Sequence, residues 1–284
     1  MTTLQRDGFC RVRIYAHLAE THLNPKGLTM KFSNQTILVT GASRGIGAAI
    51  AKAFAAEGAF VVVNYLRNEA AAASVVKECR ALGGDALAIA ADVTCEQQVN
   101  AMMEQIVNAT GRLDAVINNA FAPYVFDTEN RARFWETPWS GYQSQFDGAV
   151  KAAYNVCQAA LPLMRARVRG SIVNLTSDLV ARPSVPYHDY ITAKAALTGF
   201  SRTLATELGP LGIRVNCVAP GLVYPTDASQ ATREEVRDFL TAQTPLRRIA
   251  RPEDVTGPVL FLASDWSEFV TGQTLYVDGG LVMN

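Results

Sequence analysis

Tyr190 and Lys194 stand four residues apart in the run Tyr-Ile-Thr-Ala-Lys, a spacing that puts both side chains on one face if the run is helical. A free phenol titrates near about 10 and is a poor base at neutral pH, but a neighbouring ammonium favours its phenolate. Such a pair exchanges a proton with an oxygen held beside it. Ser177, at the end of the apolar run from Ser171 to Leu175, carries a hydroxyl that could hydrogen-bond the same oxygen and polarise a carbonyl for attack. A Tyr and a Lys at this spacing also occur as an ordinary amphipathic surface pair, so the surrounding elements decide between the two readings.

Those elements alternate along the chain. Seven short β-branched runs (Ile37 to Val39, Phe60 to Asn64, Ala86 to Ala90, Ala115 to Ile117, Ser171 to Leu175, Arg214 to Val218, Thr274 to Val277) are separated by alanine-rich stretches with a helical pattern. A strand buried on both faces loses its polar alternation, so near-continuous apolar strands between helices point to a parallel sheet covered on both sides. The first thirty or so residues mix charges with His17 and His22 and show no clean period. They are expected to form an N-terminal extension, 1–32, ahead of one dinucleotide-binding and catalytic domain, 33–284. Met30 is an alternative start. A chain of 284 residues lies within the range of a single α/β domain.

The first strand enters Thr40-Gly41-Ala42-Ser43-Arg44-Gly45-Ile46-Gly47 and then an apolar helical run. Strand, glycine-rich turn and helix in that order form a phosphate cradle: Gly41 for the turn, Gly45 for close backbone approach, Gly47 for helix packing, and the helix N-terminus facing the anion. The expected fold class is therefore α/β, a single-domain Rossmann-like doubly wound sheet of about seven parallel strands with helices on both faces.

The spacing of this turn, TGxxxGxG, resembles that of the short-chain dehydrogenase/reductase family. Further matches follow: Ala91-Asp92-Val93 after the third strand, Asn118-Asn119-Ala120 after the fourth, Ser177 thirteen residues before Tyr190, and Asn216-Cys217-Val218-Ala219-Pro220-Gly221 at the sixth. The resemblance covers about Ser33 to Gly280. It implies hydride transfer between a nicotinamide and a carbonyl or alcohol carbon. Tyr190 would be the acid/base; Lys194 would lower its pKa and hold the nicotinamide ribose, and Ser177 would polarise the carbonyl. It further implies cofactor contacts from Gly41, Ser43, Arg44, Gly45, Ile46, Gly47, Tyr65, Arg67, Asp92, Val93, Asn119, Ala120, Pro220, Gly221, Val223 and Thr226. Asn118 and Asn119 could also be a simple turn pair. Two positions depart from the pattern. Phe121 replaces a final glycine, and Ala149 stands where members usually carry an Asn that holds a water beside the lysine.

Charge near the adenosine ribose separates the two nicotinamide cofactors. The second strand ends without Asp or Glu; Tyr65 stands where NAD-preferring relatives carry Asp, and Arg44 where NADP-preferring ones carry a base. Arg67 is a second cation, so NADP(H) is expected, with Arg44 as a solvated loop residue the alternative.

Between Asn118 and Ala149 the chain carries Phe121, Tyr124, Phe126, Phe134, Trp135, Trp139, Tyr142 and Phe146, which could line an apolar substrate pocket or merely pack under a long loop. Phe121 and Trp135 are the aromatics expected to matter for a medium-sized ketone. Asp178, Arg182 and His188 could orient a polar group, and Tyr224 to Arg248 matches the family's substrate lid. Small ketones, sugars, steroids and acyl thioesters all stay open as the substrate, and the chain resembles the 3-oxoacyl reductase-like members of the family, so a 3-oxoacyl reductase is one reading. An NAD-dependent alcohol dehydrogenase and a non-catalytic dinucleotide sensor are the competing readings.

Lys plus Arg and Asp plus Glu both number 26, which gives no pull toward nucleic acid or an anionic membrane. No apolar run reaches the roughly 20 residues of a membrane span. The five cysteines lack CxxC spacing, so reduced thiols, no metal and a cytoplasmic protein are expected. The resemblance also implies a homotetramer.

Overall fold

All four side chains of β1 (Thr36–Val39) are buried, and the strand runs through the glycine turn into α1 (Gly45–Ala56). The computed structural model describes residues 32–283. The expected N-terminal extension lies outside the described residues except for Phe32, which is fully buried with its ring edge-on to Phe54, centroids 4.9 Å apart.

The chain continues through β2 (Phe60–Tyr65), α2 (Glu69–Ala81), β3 (Asp85–Ala90), α3 (Glu96–Thr110), β4 (Ala115–Asn118) and α4 (Trp139–Phe146). A π-helical turn, Asp147–Lys151, joins α4 to α5 (Ala152–Arg167). Then come β5 (Gly170–Leu175), α6 (His188–Leu208), β6 (Ile213–Pro220), α7 (Glu234–Gln243), α8 (Thr256–Ala263) and β7 (Thr274–Val277). The expected strands are all present, extended by a residue or two at several ends.

The seven strands form one parallel sheet in the order β3-β2-β1-β4-β5-β6-β7. Leu38 pairs with Val62 on one side and Val116 on the other; Val116 pairs with Ile172 and that residue with Val215. This row is buried against Val99, Met102 and Ile106 of α3 and Val156 and Met164 of α5. Each such side chain removed from water contributes roughly 1.5–3 kcal/mol before entropy is counted. The strand order reverses between β1 and β4, and open α/β sheets bind ligands at that crevice, outside the carboxyl ends. The same end delivers Thr40, Asn118, Ser177 and Pro220.

Candidate active site

The switch point is closed by polar side chains rather than by apolar packing. Thr40 Oγ1 accepts from the N–H groups of Asn119 and Ala120, each at 3.0 Å, and Asn119 Nδ2 donates to the carbonyls of Thr40 (2.9 Å) and Gly41 (3.2 Å). Asn119 therefore locks the end of β4 to the glycine turn. Asn64, buried in β2, accepts from the Gly41 N–H at 3.2 Å and donates to the Ala91 carbonyl at 3.0 Å, tying β2 and the end of β3 to that turn. It was missed in the sequence, where a lone polar residue inside an apolar strand is its only signal.

Gly41 and Gly45 take left-handed backbone, φ 62° and 55°, which an L side chain rarely adopts. A Cβ on Gly47 would lie 2.5 Å from the Gly41 carbonyl oxygen and 2.6 Å from Asn119 Nδ2, so the helix start packs on the turn and on Asn119, closer than any side chain allows. α1 has no side-chain cap and no acidic residue in its first turn. Its leading N–H donors and positive dipole end are thus left for an anionic ligand. Gly45, Ile46 and Gly47 line a cavity of 1410 Å³ that runs from this helix start to Ser177. A cradle of this shape and donor content fits the pyrophosphate of a dinucleotide.

The same cavity is lined by every residue expected to touch cofactor or substrate oxygen, except Tyr65. Tyr65 is half-buried at the end of β2 and outside the lining, while its neighbours Asn64 and Arg67 belong to it. Arg44 is exposed at the rim and pairs with Asp227 at 2.5 Å. Thr226, from the segment after β6, lies 3.8 Å from a Cβ built on Gly45, and Val223 is held by a bridge to Ala250. Asp92 Oδ1 accepts from the N–H and hydroxyl of Thr94, fixing the turn after β3.

Ser177, Tyr190 and Lys194 come together, each more than nine-tenths buried. Ser177 caps the short 3₁₀ turn Asp178–Val180, its Oγ accepting from the Leu179 N–H at 3.2 Å, and it lines the same cavity as Tyr190. Lys194 Nζ donates to the Leu175 carbonyl at 2.7 Å, which anchors the ammonium to the end of β5. Burial lowers Lys194 to about 8, the Cys217 thiol opposing this. Burial also pushes the Tyr190 phenol above its usual value, the nearby Ser177 hydroxyl pulling it back and Asp178 adding to the rise. A neighbouring ammonium favours the phenolate, but in the folded chain desolvation of the phenol is the larger effect.

Ala149 lies in the π-helical turn, buried and offering only a methyl group. Its neighbour Gly148 packs against the loop after β4, where a Cβ would meet the Ala122 nitrogen at 2.3 Å. π-Helical turns widen a helix by one residue and often occur beside functional sites. Phe121, the other departure from the family pattern, lays its ring over Lys194, 5.3 Å from centroid to Nζ.

The aromatic segment divides in two. Phe121, Tyr124 and Phe126 surround Tyr190, with ring centroids 6.2, 5.2 and 5.0 Å from its own, and line the cavity with Trp139. Trp135 is 75% exposed and outside the lining, as is Phe134, which packs on His188. The expectation that Trp135 contributes to the pocket is corrected: it stands at the loop surface under Arg133. Of the polar candidates, Asp178 and Arg182 line the cavity and His188 does not. Arg182 hydrogen-bonds Gln243 of α7. The Phe126 N–H donates to the Ala228 carbonyl at 3.2 Å and Arg233 pairs with Glu129 at 2.7 Å, so the aromatic segment and the segment after β6 roof the site together.

A protein-family model described as enoyl-(acyl carrier protein) reductase matches residues 41–282. The chain is 37% identical over 250 residues to the 3-oxoacyl-[acyl-carrier-protein] reductase of Staphylococcus epidermidis, covering 88% of this chain and all of that protein. It is 36% identical over 249 residues to the corresponding reductase of Chlamydia trachomatis, covering 87% and 97%. A solved 7α-hydroxysteroid dehydrogenase, complexed with NADH and 7-oxo glycochenodeoxycholic acid, superposes with a TM-score of 0.81 at 32% identity, covering 90% of this chain and 97% of that one. A putative gluconate dehydrogenase from Agrobacterium tumefaciens gives a TM-score of 0.83 at 30% identity, covering 90% and 100%.

Proposed function

The chain belongs to the short-chain dehydrogenase/reductase family, an oxidoreductase acting on CH–OH groups, and from that premise we propose that it is an NADP(H)-dependent reductase of a medium-sized ketone. The observation that carries this reading is the boxing of Tyr190 by Phe121, Tyr124 and Phe126 in the cavity that Ser177 also lines. An apolar wall beside a proton donor suits a carbonyl with a sizeable apolar substituent.

The residues fit a nicotinamide dinucleotide: the start of α1 for the pyrophosphate, Arg44 and Arg67 for a 2′-phosphate, Asp92 and Val93 for the adenine, Lys194 for the ribose, and Val223 and Thr226 for the carboxamide. Tyr65, outside the cavity lining, is not part of this set. When bound, the nicotinamide supplies the hydride in reduction and accepts it in oxidation.

The chain's own residues then do the following. Ser177 donates to the carbonyl oxygen and polarises it, and Tyr190 gives its phenolic proton to that oxygen as negative charge develops. Lys194, pinned to the Leu175 carbonyl, lends positive charge beside the phenolate left behind. The aromatic segment and the loop after β6 exclude water, which strengthens each of these interactions.

The 3-oxoacyl group of acyl-carrier relatives is one substrate of this class, and the hydroxysteroid relative offers another of larger apolar area. An NADPH-consumption screen over acyl-thioester, steroid, sugar and small-ketone panels tests the reading. Turnover of an apolar ketone that is lost in Tyr190→Phe supports it; turnover only with NADH, or on small hydrophilic carbonyls alone, rejects it.

Homotetramer formation belongs to the same proposal. β7 is an edge strand with Leu275 partly exposed, and Trp266 and Phe269 beside it in sequence are exposed apolar groups, the kind of surface that self-association covers. Light scattering at micromolar concentration decides it. A cytoplasmic location is also part of the proposal; no helix among the described residues is long and apolar enough to cross a membrane.

A further inference from the structure

Asp178 follows the site serine directly and is only 8% exposed. Ser177 Oγ donates to its Oδ1 at 3.4 Å, and the carboxyl reaches the substrate cavity. Across Gly221 it faces a second buried acid: a Cβ built on Gly221 would lie 3.0 Å from Asp278 Cβ and 3.3 Å from Asp178 Oδ2. Asp278, after the end of β7, accepts from the N–H groups of Gly280 at 2.9 Å and Val282 at 2.8 Å. The remaining groups facing Asp178 are the Leu179 N–H, Arg182 from the loop after β5, and Tyr190 of α6.

We propose that Asp178 is a positioning residue for the reduction, its carboxyl deciding whether the single O–H of Ser177 is free to donate to the substrate oxygen. The inference rests on the oxidoreductase reading above. A serine hydroxyl has one donor and two acceptor sites, and the Leu179 N–H takes one acceptor site. An ionised Asp178 only accepts, so it draws the Ser177 proton to itself, and an arriving carbonyl oxygen meets a lone pair. A neutral Asp178 donates its own O–H to Ser177 Oγ and fills the second acceptor site. The Ser177 proton then turns to the substrate oxygen, where it stabilises the developing charge. No bond other than hydrogen bonds changes in this step.

Burial, followed by the charge of Asp278, raises Asp178 to about 7, while the Leu179 N–H, Ser177 and Arg182 pull the other way. The carboxyl therefore changes state within the pH range where the enzyme would work.

The test is the pH profile of kcat/KM from pH 5.5 to 9 for NADPH-driven reduction of the best screened ketone, by the full chain and by Asp178→Asn and Asp178→Ala. Wild type is expected to lose about tenfold between pH 6 and 8, one group ionising through its pKa. Both variants are expected to change by less than about twofold over that window, with NADPH affinity unchanged. Lys194 also titrates nearby, at about 8, but a limb due to Lys194 persists when Asp178 is replaced. Infrared difference titration supplies a readout independent of turnover: a protonated-carboxyl C=O band lost between pH 6 and 8 in wild type and absent from Asp178→Asn. A limb kept in both variants, or the absence of that band, overturns the assignment of Asp178. A wild type that reduces nothing with either cofactor overturns the oxidoreductase reading instead, and the infrared titration still reports on Asp178.

Discussion

The ring of Phe121 covers the ammonium of Lys194, Nζ lying 5.3 Å from its centroid, while the same ammonium donates to the Leu175 carbonyl. A buried lysine loses hydration, and an aromatic face returns part of that loss, about 0.5–2 kcal/mol. Phe121 also packs edge-on to Tyr190, so it shapes the surroundings of both Tyr190 and Lys194. Phe121→Ala is expected to lower kcat/KM about tenfold or more while NADPH affinity moves less than about twofold. Phe121→Leu, which keeps apolar bulk but loses the π face, should fall between the two in steady-state kinetics. Equal loss in the Leu and Ala variants would assign the effect to the π face alone.

Arg44 sits where a 2′-phosphate is expected, and in the folded chain it is paired with Asp227, both side chains more than half exposed. An exposed pair of this kind contributes only about 0–1 kcal/mol, so it does not prevent the guanidinium from turning to a phosphate, where a charge-assisted bond contributes about 1.5–3 kcal/mol. Arg44→Ala should weaken NADPH about tenfold and NADH less than about twofold in fluorescence titrations. Asp227→Ala should leave NADPH equal or a few-fold tighter. Equal affinity of wild type for both cofactors would remove the basis for the NADP assignment.

The sheet and the cofactor end were legible in the sequence because their determinants are local. Val61 to Val63 reads as a doubly buried strand from residue type alone, and Gly41, Gly45 and Gly47 state a backbone path that few other residues can follow. Ser177, Tyr190 and Lys194 were legible through spacing on a strand end and one helix face. What escaped depends on contacts between segments far apart in the chain. Asp178 and Asp278 are 100 residues apart in number and meet only because β5, β6 and β7 are neighbours. Asn64 reads as an unremarkable polar residue until the Gly41 and Ala91 backbones close on it. Trp135 and Phe126 look alike in composition, and only the course of the loop sends one outward and the other onto Tyr190.

The raised Asp178 carboxyl has a consequence for stability. Its folded pKa, about 7, exceeds the unfolded value, so the folded state binds the extra proton between about pH 4 and 7. The stabilisation this gives is fully present below about pH 4 and is lost as pH rises through 7. Above pH 7 the buried charge next to Asp278 is a net cost, on the order of 4 kcal/mol from a shift of this size. Asp178→Asn removes that charge. Its melting temperature should exceed that of wild type by several degrees at pH 8, and the gap should shrink toward zero near pH 4.5. Thermal unfolding at the two pH values checks this, and a gap independent of pH would mean that Asp178 does not carry the charge.

The aromatic segment offers the sharpest test of what the cavity holds. Phe126 stands 5.0 Å from the Tyr190 ring and 5.4 Å from Tyr187, and its backbone N–H is bonded to Ala228 in the opposite wall. Removing its ring opens apolar space directly beside the Tyr190 ring while the backbone bond can persist. Trp135, with a larger ring, stands outside the cavity, so its truncation leaves that space unchanged. A fully buried ring contact with a ligand contributes roughly 1.5–3 kcal/mol, which corresponds to about tenfold or more in kcat/KM. Phe126→Ala should therefore raise KM for the best apolar ketone by about that factor, with NADPH affinity within about twofold of wild type. Trp135→Ala should stay within about twofold of wild type in every parameter. Comparable losses in both variants would mean that the substrate extends over the loop surface past Arg133. Normal turnover in both would mean that these rings only pack against one another and that the apolar-ketone reading is wrong.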